Sequence, residues 1–541
     1  MPLPSKKQAA AALALLALAI GLLVLLYAAS AHAFHGDSDG ATVILEGRSM
    51  SQGHLLLGGW AISLDSFWTI DALFCLVGTA VFGLHPGMLH AIPAVIALGV
   101  VIIGVVIACE HRRGGAAIAA GGTVVAILGL PGHGLSVFFL RGPLHVGTAL
   151  WCLVAFLSLR RGRFGLGWAL AVVFLAAGLL GDLQMLALGV VPVFGAGLVA
   201  MARRRQWRAG LPAASAAIAA VVVAEIVRHI AIAIGTFTIA KANPIATRSQ
   251  MLRNLKHGVH EGAMLMGVGG SYYGLGGEPT ALSYVHVIAI LVVFAAVAGT
   301  AVSLLNGVIR GRPSVVGSPS EAAWRLDDFL LLAAIASLCA FAILAISADV
   351  QFGRYLTAGV VFGAVLAGRV VGRVVQDLDR GWFLRISAAL GVAIVACFAG
   401  GFAATLRQAP PVERPIVLSA FLESHRLSTG VGAYWSAAIT TVDSGGRVVV
   451  RPVVSADQQN HALQSSDLVR YDRNSSKSWY AGPFQFLVFD LSLPWGGVSW
   501  QTAVATFGQP AHAYTIDDYR VMVWSHPLVV PPSGAASGGA R

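Results

Sequence analysis

The stretch HGDSDGATVILEGRSMSQGHLLLGGWAISLDSFWTIDALFCLVGTAVFGL, residues 35–84, decides how the rest of the chain is interpreted. It follows a long apolar segment, and the chain as a whole is only 11% charged. Even so, it contains His35, Asp37, Asp39, Glu46, His54, Asp65 and Asp71. Charged groups beside a bilayer are costly, so such a concentration is by default a candidate functional site. A solvated loop with ordinary surface acids is the simpler interpretation of any single residue, but for the group we predict a site.

The composition is that of a polytopic membrane protein. Hydrophobic residues make up 57% of the 541 residues, and the mean hydropathy is +0.76. So few charges cannot cover a soluble surface. The net charge of +11 does not indicate nucleic-acid binding, because basic residues of membrane proteins collect in cytoplasmic loops. The five cysteines lie in or beside apolar segments and offer no disulfide framework or metal-binding spacing.

Apolar runs predict an α-helical polytopic fold with about eleven transmembrane spans. They are residues 8–30, 91–108, 116–130, 146–159, 164–180, 185–201, 212–235, 285–306, 329–348, 355–371 and 386–406. Residues 67–84 are also apolar, but Asp71 and the break at His85-Pro86-Gly87 favour a helix in the membrane interface. Arginine clusters at 112–113, 160–163, 203–208, 310–325 and 369–385 then fall on one side. This asymmetry predicts a cytoplasmic N-terminus and an extracytoplasmic C-terminus in a bacterial inner membrane.

The sequence divides into three regions. Residues 1–407 form the membrane region, with a first outer loop at 31–91 and a long outer loop at 236–284. Ala31-His32-Ala33 resembles a signal-peptidase site, but we expect the first span to remain as an anchor. Residues 408–530 are predicted to form a small extracytoplasmic α/β domain, with helices at 412–425 and 498–507 and strands at 447–454, 485–490 and 519–524. Residues 531–541 are predicted to be a disordered tail.

Two further features have competing interpretations. The glycine-rich run at 267–278 is weak support for phosphate binding, because no strand precedes it. The residues before it have helical apolar spacing, with Met251 and Leu255 on one face. Glu225, Arg228 and His229 lie within the apolar run at 212–235. A transport site is the sharper interpretation of these three residues, and a structural ion pair is the simpler and preferred one.

The order of motifs in the first outer loop suggests a family. Ser38-Asp39 precedes a predicted helix over residues 41–50, and Gly53-His54, Trp60, the interfacial helix, Phe82-Gly83 and Ile92-Pro93 follow. This order resembles the C-type-fold (GT-C) membrane glycosyltransferases of the ArnT-like and protein-mannosyltransferase-like branches. Gly353-Arg354-Tyr355-Leu356 is similar to the Arg-Tyr that the family places near the lipid phosphate. Gly40 stands where the family has the second acid of an Asp-Glu pair, which leaves the sugar, the acceptor and metal use open.

The resemblance implies transfer of a hexose or pentose from a polyprenyl-phosphate donor to an extracytoplasmic acceptor, such as a cell-envelope glycan, lipid or protein. Such a reaction needs a base for the acceptor hydroxyl and a cation for the departing phosphate. Asp39 is the first candidate for the base, and Asp37 is its rival. Arg354 is the candidate phosphate partner, with Tyr355 beside it, and interfacial snorkelling is the alternative for Arg354. The other candidate substrate-binding residues are His54, Asp65 and Asp71, of which the two acids either orient the acceptor or cap the interfacial helix.

The sequence also leads to predictions about metal ions, binding partners and alternative classes of protein. Carboxylates in His35-x-Asp37-x-Asp39 suit Mg²⁺ or Mn²⁺, but this spacing does not specify a site, so no metal ligand is assigned. The expected partners are the lipid-linked donor, the acceptor and membrane lipid, without nucleic acid. The main alternative is a transporter or flippase with a midplane site at Glu225, Arg228 and His229, although the internal repeats typical of transporters are not evident. A non-catalytic membrane scaffold would leave the acids of the first loop without a role.

Overall fold

The computed structural model describes residues 6–63, 65–239, 245–268, 280–310, 319–344, 350–377, 381–410, 414–455, 468–472, 474–493 and 497–531. Several sequence-based predictions fall partly outside these ranges. They are the long outer loop at 236–284 with its glycine-rich run at 267–278, the arginine clusters at 310–325 and 369–385, the end of the span at 329–348, the start of the helix at 412–425, and the tail at 531–541.

Helices make up most of the described chain. In chain order they are α1 (Lys6–Ala33), α2 (Ser38–Ser51), α3 (Asp71–Phe82), α4 (Met88–Ala108), α5 (Gly114–Val124), α6 (His133–Phe139), α7 (Val146–Leu159), α8 (Leu166–Gly181), α9 (Val191–Arg204), α10 (Leu211–Ala233), α11 (Arg248–Leu265), α12 (Thr280–Arg310), α13 (Pro319–Ile343), α14 (Thr357–Asp377), α15 (Gly381–Arg407), α16 (Arg414–Ser424), α17 (Tyr434–Asp443) and α18 (Trp500–Phe507). The helix predicted around Met251 and Leu255 is confirmed as α11.

The strands form two sheets. They are β1 (Trp60–Ile62), β2 (Thr238–Ile239), β3 (Thr429–Ala433), β4 (Val449–Val454), β5 (Arg470–Tyr471), β6 (Ser475–Ser476), β7 (Phe484–Asp490), β8 (His512–Ile516) and β9 (Tyr519–Leu528). The small sheet has the order β2-β1-β6, and the large sheet has the order β5-β4-β3-β7-β9-β8. In the large sheet, β3 pairs in parallel with β4 and β7, and the outer pairings are antiparallel.

The chain divides into two compact units. Unit 1 comprises Met1–Phe34, Pro93–Ile226 and Asn243–Pro410. Unit 2 comprises His35–Ile92, Val227–Ala242 and Pro411–Arg541. The sequence-based division assigned the first outer loop to the membrane region, whereas the structure groups that loop with the C-terminal segment. The reason is hydrophobic burial, because α2 packs against both α3 and α17.

The protein is an α-helical polytopic membrane protein with a C-terminal α/β region. Among the described residues, seven helices are long and apolar enough to cross a membrane, or eight if one bent pair is counted as a span. Four shorter apolar helices remain, and α3, with 12 residues, is the shortest of them. At 1.5 Å per residue, α3 covers about 18 Å of a hydrocarbon core of about 30 Å. That length fits the interfacial assignment of α3, and the total of eleven spans stays a prediction.

The predicted span at 116–130 differs most from the structure. Here α5 continues into a π-helical turn, Val125–Gly129, and the chain then bends by 78° into α6. The bend contains the segment Gly129-Leu130-Pro131-Gly132. A proline breaks the helix because it has no N–H to donate and its ring clashes with the preceding turn. Hydropathy alone did not predict α6, because α6 is short.

Buried ion pairs join the helices of unit 1. The Nε of Arg369 on α14 donates to Asp327 Oδ1 on α13 at 2.5 Å, and Arg373 donates to the other oxygen at 2.6 Å. Arg369 is 0% exposed and also donates to the carbonyl of Ile107 on α4 at 2.6 Å. The sequence indicated these arginines only as orientation signals. The burial of Arg369 and its bonds to Asp327 and Ile107 show that this arginine also fixes the packing of three helices.

In unit 2, the large sheet has helices on both faces. Leu418 of α16 and Ala437 of α17 pack on one face, in a cluster with Phe486 of β7. Ala503 of α18 packs on the other face, in a cluster with Leu487. The predicted helices at 412–425 and 498–507 and the three predicted strands are present as α16, α18, β4, β7 and β9. The sequence missed α17 and three strands of the large sheet, β3, β5 and β8.

Membrane orientation can be tested with topology reporters. A reporter that is active only outside the cytoplasm should be active when fused after Gln408 and silent when fused after Arg112. The physical reason is the predicted location of the arginine clusters on the cytoplasmic side. Reporter activity measured in whole cells would check both fusions. The same result from both fusions would show that the interfacial assignment of residues 67–84 is wrong.

Candidate functional site

Asp37 is a helix cap. It has extended backbone angles immediately before α2, and its Oδ1 accepts the N–H of Gly40 at 2.8 Å. Such an N-cap satisfies an amide that the helix itself cannot pair. The sequence predicted a helix over residues 41–50. The helix begins three residues earlier, at Ser38, and the capping role belongs to Asp37.

Asp39 lies in the first turn of α2 and is contacted by the C-terminal part of unit 2. The phenol of Tyr434 donates a hydrogen bond to Asp39 Oδ1 at 2.6 Å. Tyr434 is 7% exposed. Burial, together with the charge of Asp39, raises the pKa of Tyr434 well above its usual value. The phenol therefore stays protonated at neutral pH and can act as a donor to the carboxylate.

Glu46 and Asp71 lie in the interior of unit 2 rather than on a solvated loop. Glu46 on α2 is 1% exposed, and burial raises its pKa well above the usual value. Within the described residues, Glu46 Oε2 has no hydrogen-bond partner. Burial and the nearby charges of Asp71 and Glu46 raise the pKa of the Cys75 thiol. A Cβ on Gly47 would lie 2.4 Å from Cys75 Cβ, so this close approach of α2 and α3 requires glycine at position 47.

The remaining predicted residues of the first loop occupy separate positions. His54 is exposed in the turn after α2, and Asp65 is half-buried in the loop after β1. Asp71 is the first residue of α3, whose N-cap position is Ile70, so Asp71 is not the N-cap. An acid in the first turn still interacts favourably with the helix dipole.

Arg354 and Tyr355 form the centre of a cluster in unit 1. Both lie in a 3₁₀-helix, Val350–Leu356, that leads into α14. An Nη of Arg354 donates to the Tyr355 hydroxyl at 3.3 Å, and the guanidinium carbon is 5.0 Å from the centre of the Tyr355 ring. The Tyr355 ring is 5.2 Å from the ring of His145. The local fold thus holds a half-buried guanidinium against the Tyr355 ring, and that ring lies against the ring of His145.

His145 and Asp182 extend this cluster, and the sequence analysis missed both. Nδ1 of His145 is 2.8 Å from Asp182 Oδ2, and the hydroxyl of Thr148 donates to the same oxygen. The backbone N–H of Gln184 donates to Asp182 Oδ1 at 2.8 Å. Asp182 is 1% exposed and His145 is 3% exposed. We refer to Arg354, Tyr355, His145, Thr148 and Asp182 as the Arg354 cluster.

One signal in the sequence could have identified Asp182. It is an acid in the short break between the apolar runs at 164–180 and 185–201, in a chain with few acids. His145 carries no comparable signal, because a single histidine before an apolar run is common. A buried carboxylate bonded to a histidine is chemically able to hold or move a proton.

Neither unit, over its described residues, places three His, Cys, Asp or Glu ligands close enough to hold one metal ion by itself. His35, Asp37 and Asp39 are not among the described residues whose ligand atoms lie together, and Asp37 caps α2 while Asp39 accepts the hydrogen bond of Tyr434. Use of Mg²⁺ or Mn²⁺ therefore stays a prediction from the sequence.

The residues of the alternative transport site do not form an enclosed pocket. Glu225 is half-buried on α10, while Arg228 and His229 are exposed. A midplane site for a solute needs groups that face a protein interior or a water-filled cavity. The exposure of Arg228 and His229 does not favour the transporter hypothesis.

Comparison with known proteins identifies the fold. No protein-family model and no curated protein matches the sequence. ArnT from Cupriavidus metallidurans in the apo state superposes with a TM-score of 0.53 at 14% identity, over 95% of this chain and 98% of that one. The same protein bound to undecaprenyl phosphate gives a TM-score of 0.52 at 13% identity, over 94% and 98%. The Archaeoglobus fulgidus oligosaccharyltransferase tethered to an acceptor peptide gives a TM-score of 0.46 at 13% identity, over 91% of this chain and 71% of that one.

The chain therefore has the C-type fold of membrane glycosyltransferases, as the motifs in the first loop predicted. The similarity to ArnT extends over almost the full length of both chains, including the C-terminal α/β region. At 14% identity it establishes the fold, and function has to be argued from the site.

Proposed function

We propose that this protein is a membrane glycosyltransferase that transfers a sugar from a polyprenyl-phosphate donor to an extracytoplasmic acceptor. The observation that carries the proposal is the Arg354 cluster within a fold shared with ArnT, which has been solved with undecaprenyl phosphate. A half-buried guanidinium beside a phenol suits a phosphate group, since arginine offers a planar array of donors.

Arg354 would bind the donor phosphate. As the sugar leaves, the bond between its anomeric carbon and the phosphate oxygen breaks, and the electron pair stays on that oxygen. A fixed cation stabilises this developing negative charge more effectively than water does, because it needs no reorganisation during the reaction. The contacts with the ring and hydroxyl of Tyr355 limit the orientations of the guanidinium.

Asp39 would act as the base. The acceptor hydroxyl forms the new bond to the anomeric carbon, and its proton passes to the carboxylate. Of the two candidates in the first loop, Asp37 already accepts an amide proton as the cap of α2. Asp39 is fixed instead by a side-chain hydroxyl. Since a weak base works through positioning, the fixed orientation of Asp39 supports its assignment.

A donor panel tests the proposed function. Purified protein would be incubated with polyprenyl-phosphate sugars that differ in sugar and chain length, with and without Mg²⁺ or Mn²⁺, and sugar transfer to envelope acceptors would be measured. Transfer from at least one lipid-linked donor is expected. Transfer only from nucleotide sugars, or no transfer from any donor, would contradict the proposal.

Replacement of Arg354 should weaken donor use. Arg354→Ala removes the charge and the hydrogen bonds, so the KM for the donor should rise by about 10- to 100-fold, as expected for the loss of a charged hydrogen bond. Arg354→Lys keeps the charge but loses the planar array and should give a smaller increase. Initial rates measured against donor concentration check both variants.

Arg208 provides a matched control for Arg354. It also lies in a short 3₁₀-helix, Trp207–Ala209, beside an aromatic neighbour, with its guanidinium carbon 5.4 Å from the Trp207 ring. It falls in a predicted cytoplasmic loop, so Arg208→Ala should leave the donor KM unchanged. A wild-type donor KM in Arg354→Ala would rule out the phosphate role.

A further inference from the structure

The Asp39 carboxylate and its hydrogen-bond donor Tyr434 are 395 positions apart in the chain. Tyr434 begins α17, directly after the central strand β3, and α17 packs against α2. Ala438, Ile439 and Val442 of α17 share a buried cluster with Ala41 and Leu45 of α2. The large sheet thus fixes the start of α17, and α17 fixes the phenol against the first turn of α2.

We propose that the C-terminal α/β region takes part in catalysis by supplying Tyr434 as a positioning residue that orients the Asp39 carboxylate. The inference rests on the proposed function, in which Asp39 is the base. It gives the C-terminal α/β region a role in the reaction, namely the orientation of the base.

The geometry of the contact favours positioning over simple packing. An O–H donor 2.6 Å from a carboxylate oxygen makes a short, charge-assisted hydrogen bond, which is stronger and more directional than a neutral one. The buried phenol stays protonated, and it donates its proton to Asp39 Oδ1. This bond narrows the range of orientations open to the Asp39 carboxylate, and misorientation of a base reduces the rate without reducing substrate affinity.

The test is Tyr434→Phe in the full-length protein, with sugar transfer as the readout. Phenylalanine keeps the ring and its packing, so the protein should fold. The kcat should fall by about 10- to 100-fold, as expected for the loss of a charged hydrogen bond, while the KM values for donor and acceptor stay unchanged. In an Asp39→Asn background, Tyr434→Phe should cause no further loss, because both changes act through one carboxylate.

Tyr480→Phe is the matched control. Tyr480 is a buried tyrosine of the same unit whose phenol donates to the carbonyl of Pro452. Its removal should lower the melting temperature about as much as Tyr434→Phe does, but leave kcat at the wild-type value. A merely structural role for Tyr434 would make the two variants behave alike.

The outcomes separate this inference from the proposed function. Wild-type kcat in Tyr434→Phe, with Asp39→Asn inactive, overturns the positioning role and leaves the proposed function intact. If Tyr434→Phe lowers kcat by the same factor in the wild-type and the Asp39→Asn backgrounds, the positioning role is also overturned. Full activity of Asp39→Asn overturns the assignment of the base, and the positioning role fails with it.

Discussion

Asp39→Asn should reach the wild-type level of folded protein and bind donor lipid normally, yet lose sugar transfer by about 10²- to 10⁴-fold, the usual cost of removing a general base. Asparagine keeps the size and one acceptor oxygen of the side chain, so the contact with the Tyr434 phenol can persist. It cannot take the proton of the acceptor hydroxyl. The measurement is single-turnover transfer at saturating donor, normalised to folded protein.

Asp37 provides the comparison within the same loop. Asp37→Asn should be mild, since asparagine caps helices about as well as aspartate, whereas Asp37→Ala should cost about 1 kcal/mol of stability through loss of the cap. An inactive Asp37→Asn beside an active Asp39→Asn would move the base to Asp37. Full activity of both variants would remove the glycosyltransferase interpretation of this loop.

The second large effect is expected on stability rather than on chemistry. Asp327→Ala should lower the free energy of unfolding by about 3–5 kcal/mol, because it leaves two guanidinium groups, those of Arg369 and Arg373, without their shared carboxylate. Arg369 is fully buried and cannot turn to water for compensation. Thermal denaturation in detergent and the yield of folded protein would measure the loss.

A more exposed ion pair in unit 1 serves as a comparison for the effect of burial on the free energy of unfolding. The guanidinium of Arg160 lies 3.2 Å from Glu110, but its side chain is 35% exposed, so Arg160→Ala should cost about 1 kcal/mol or less. A double replacement tests the buried pair of Asp327 and Arg369 itself. Asp327→Leu combined with Arg369→Met should recover part of the stability lost in Asp327→Ala, since a buried ion pair can be exchanged for apolar packing. Equal stability of Asp327→Ala and the wild type would contradict the structural role of the Asp327–Arg369 pair.

Helices and strands could be predicted from the sequence where a segment is strongly apolar or alternates between apolar and polar residues. They could not be predicted where tertiary packing overrides the intrinsic preference of the residues for helix or strand. The strands β4, β7 and β9 have apolar runs that indicate them, but the central strand β3 contains Gly430 and Gly432. Glycine is unfavourable in strands, so this segment carried no strand signal. A Cβ at Gly430 would lie 2.4 Å from the Phe486 ring, and one at Gly432 would lie 2.7 Å from Val488 Cγ1. Neighbours distant in sequence therefore require the glycines.

The sequence by itself determined that this is a helical membrane protein, that the first outer loop carries an unusual set of acids, and that Asp39 and Arg354 are candidates for chemistry. These features depend on local composition and order, which a single chain displays directly. Tertiary structure alone decided that Asp37 is the cap, that Glu46 and Asp71 are buried, and that Tyr434 bonds to Asp39. It also brought His145 to Asp182, 37 positions away. Such pairings are set by the packing of helices and sheets, and no local pattern in the sequence specifies which distant side chains will meet.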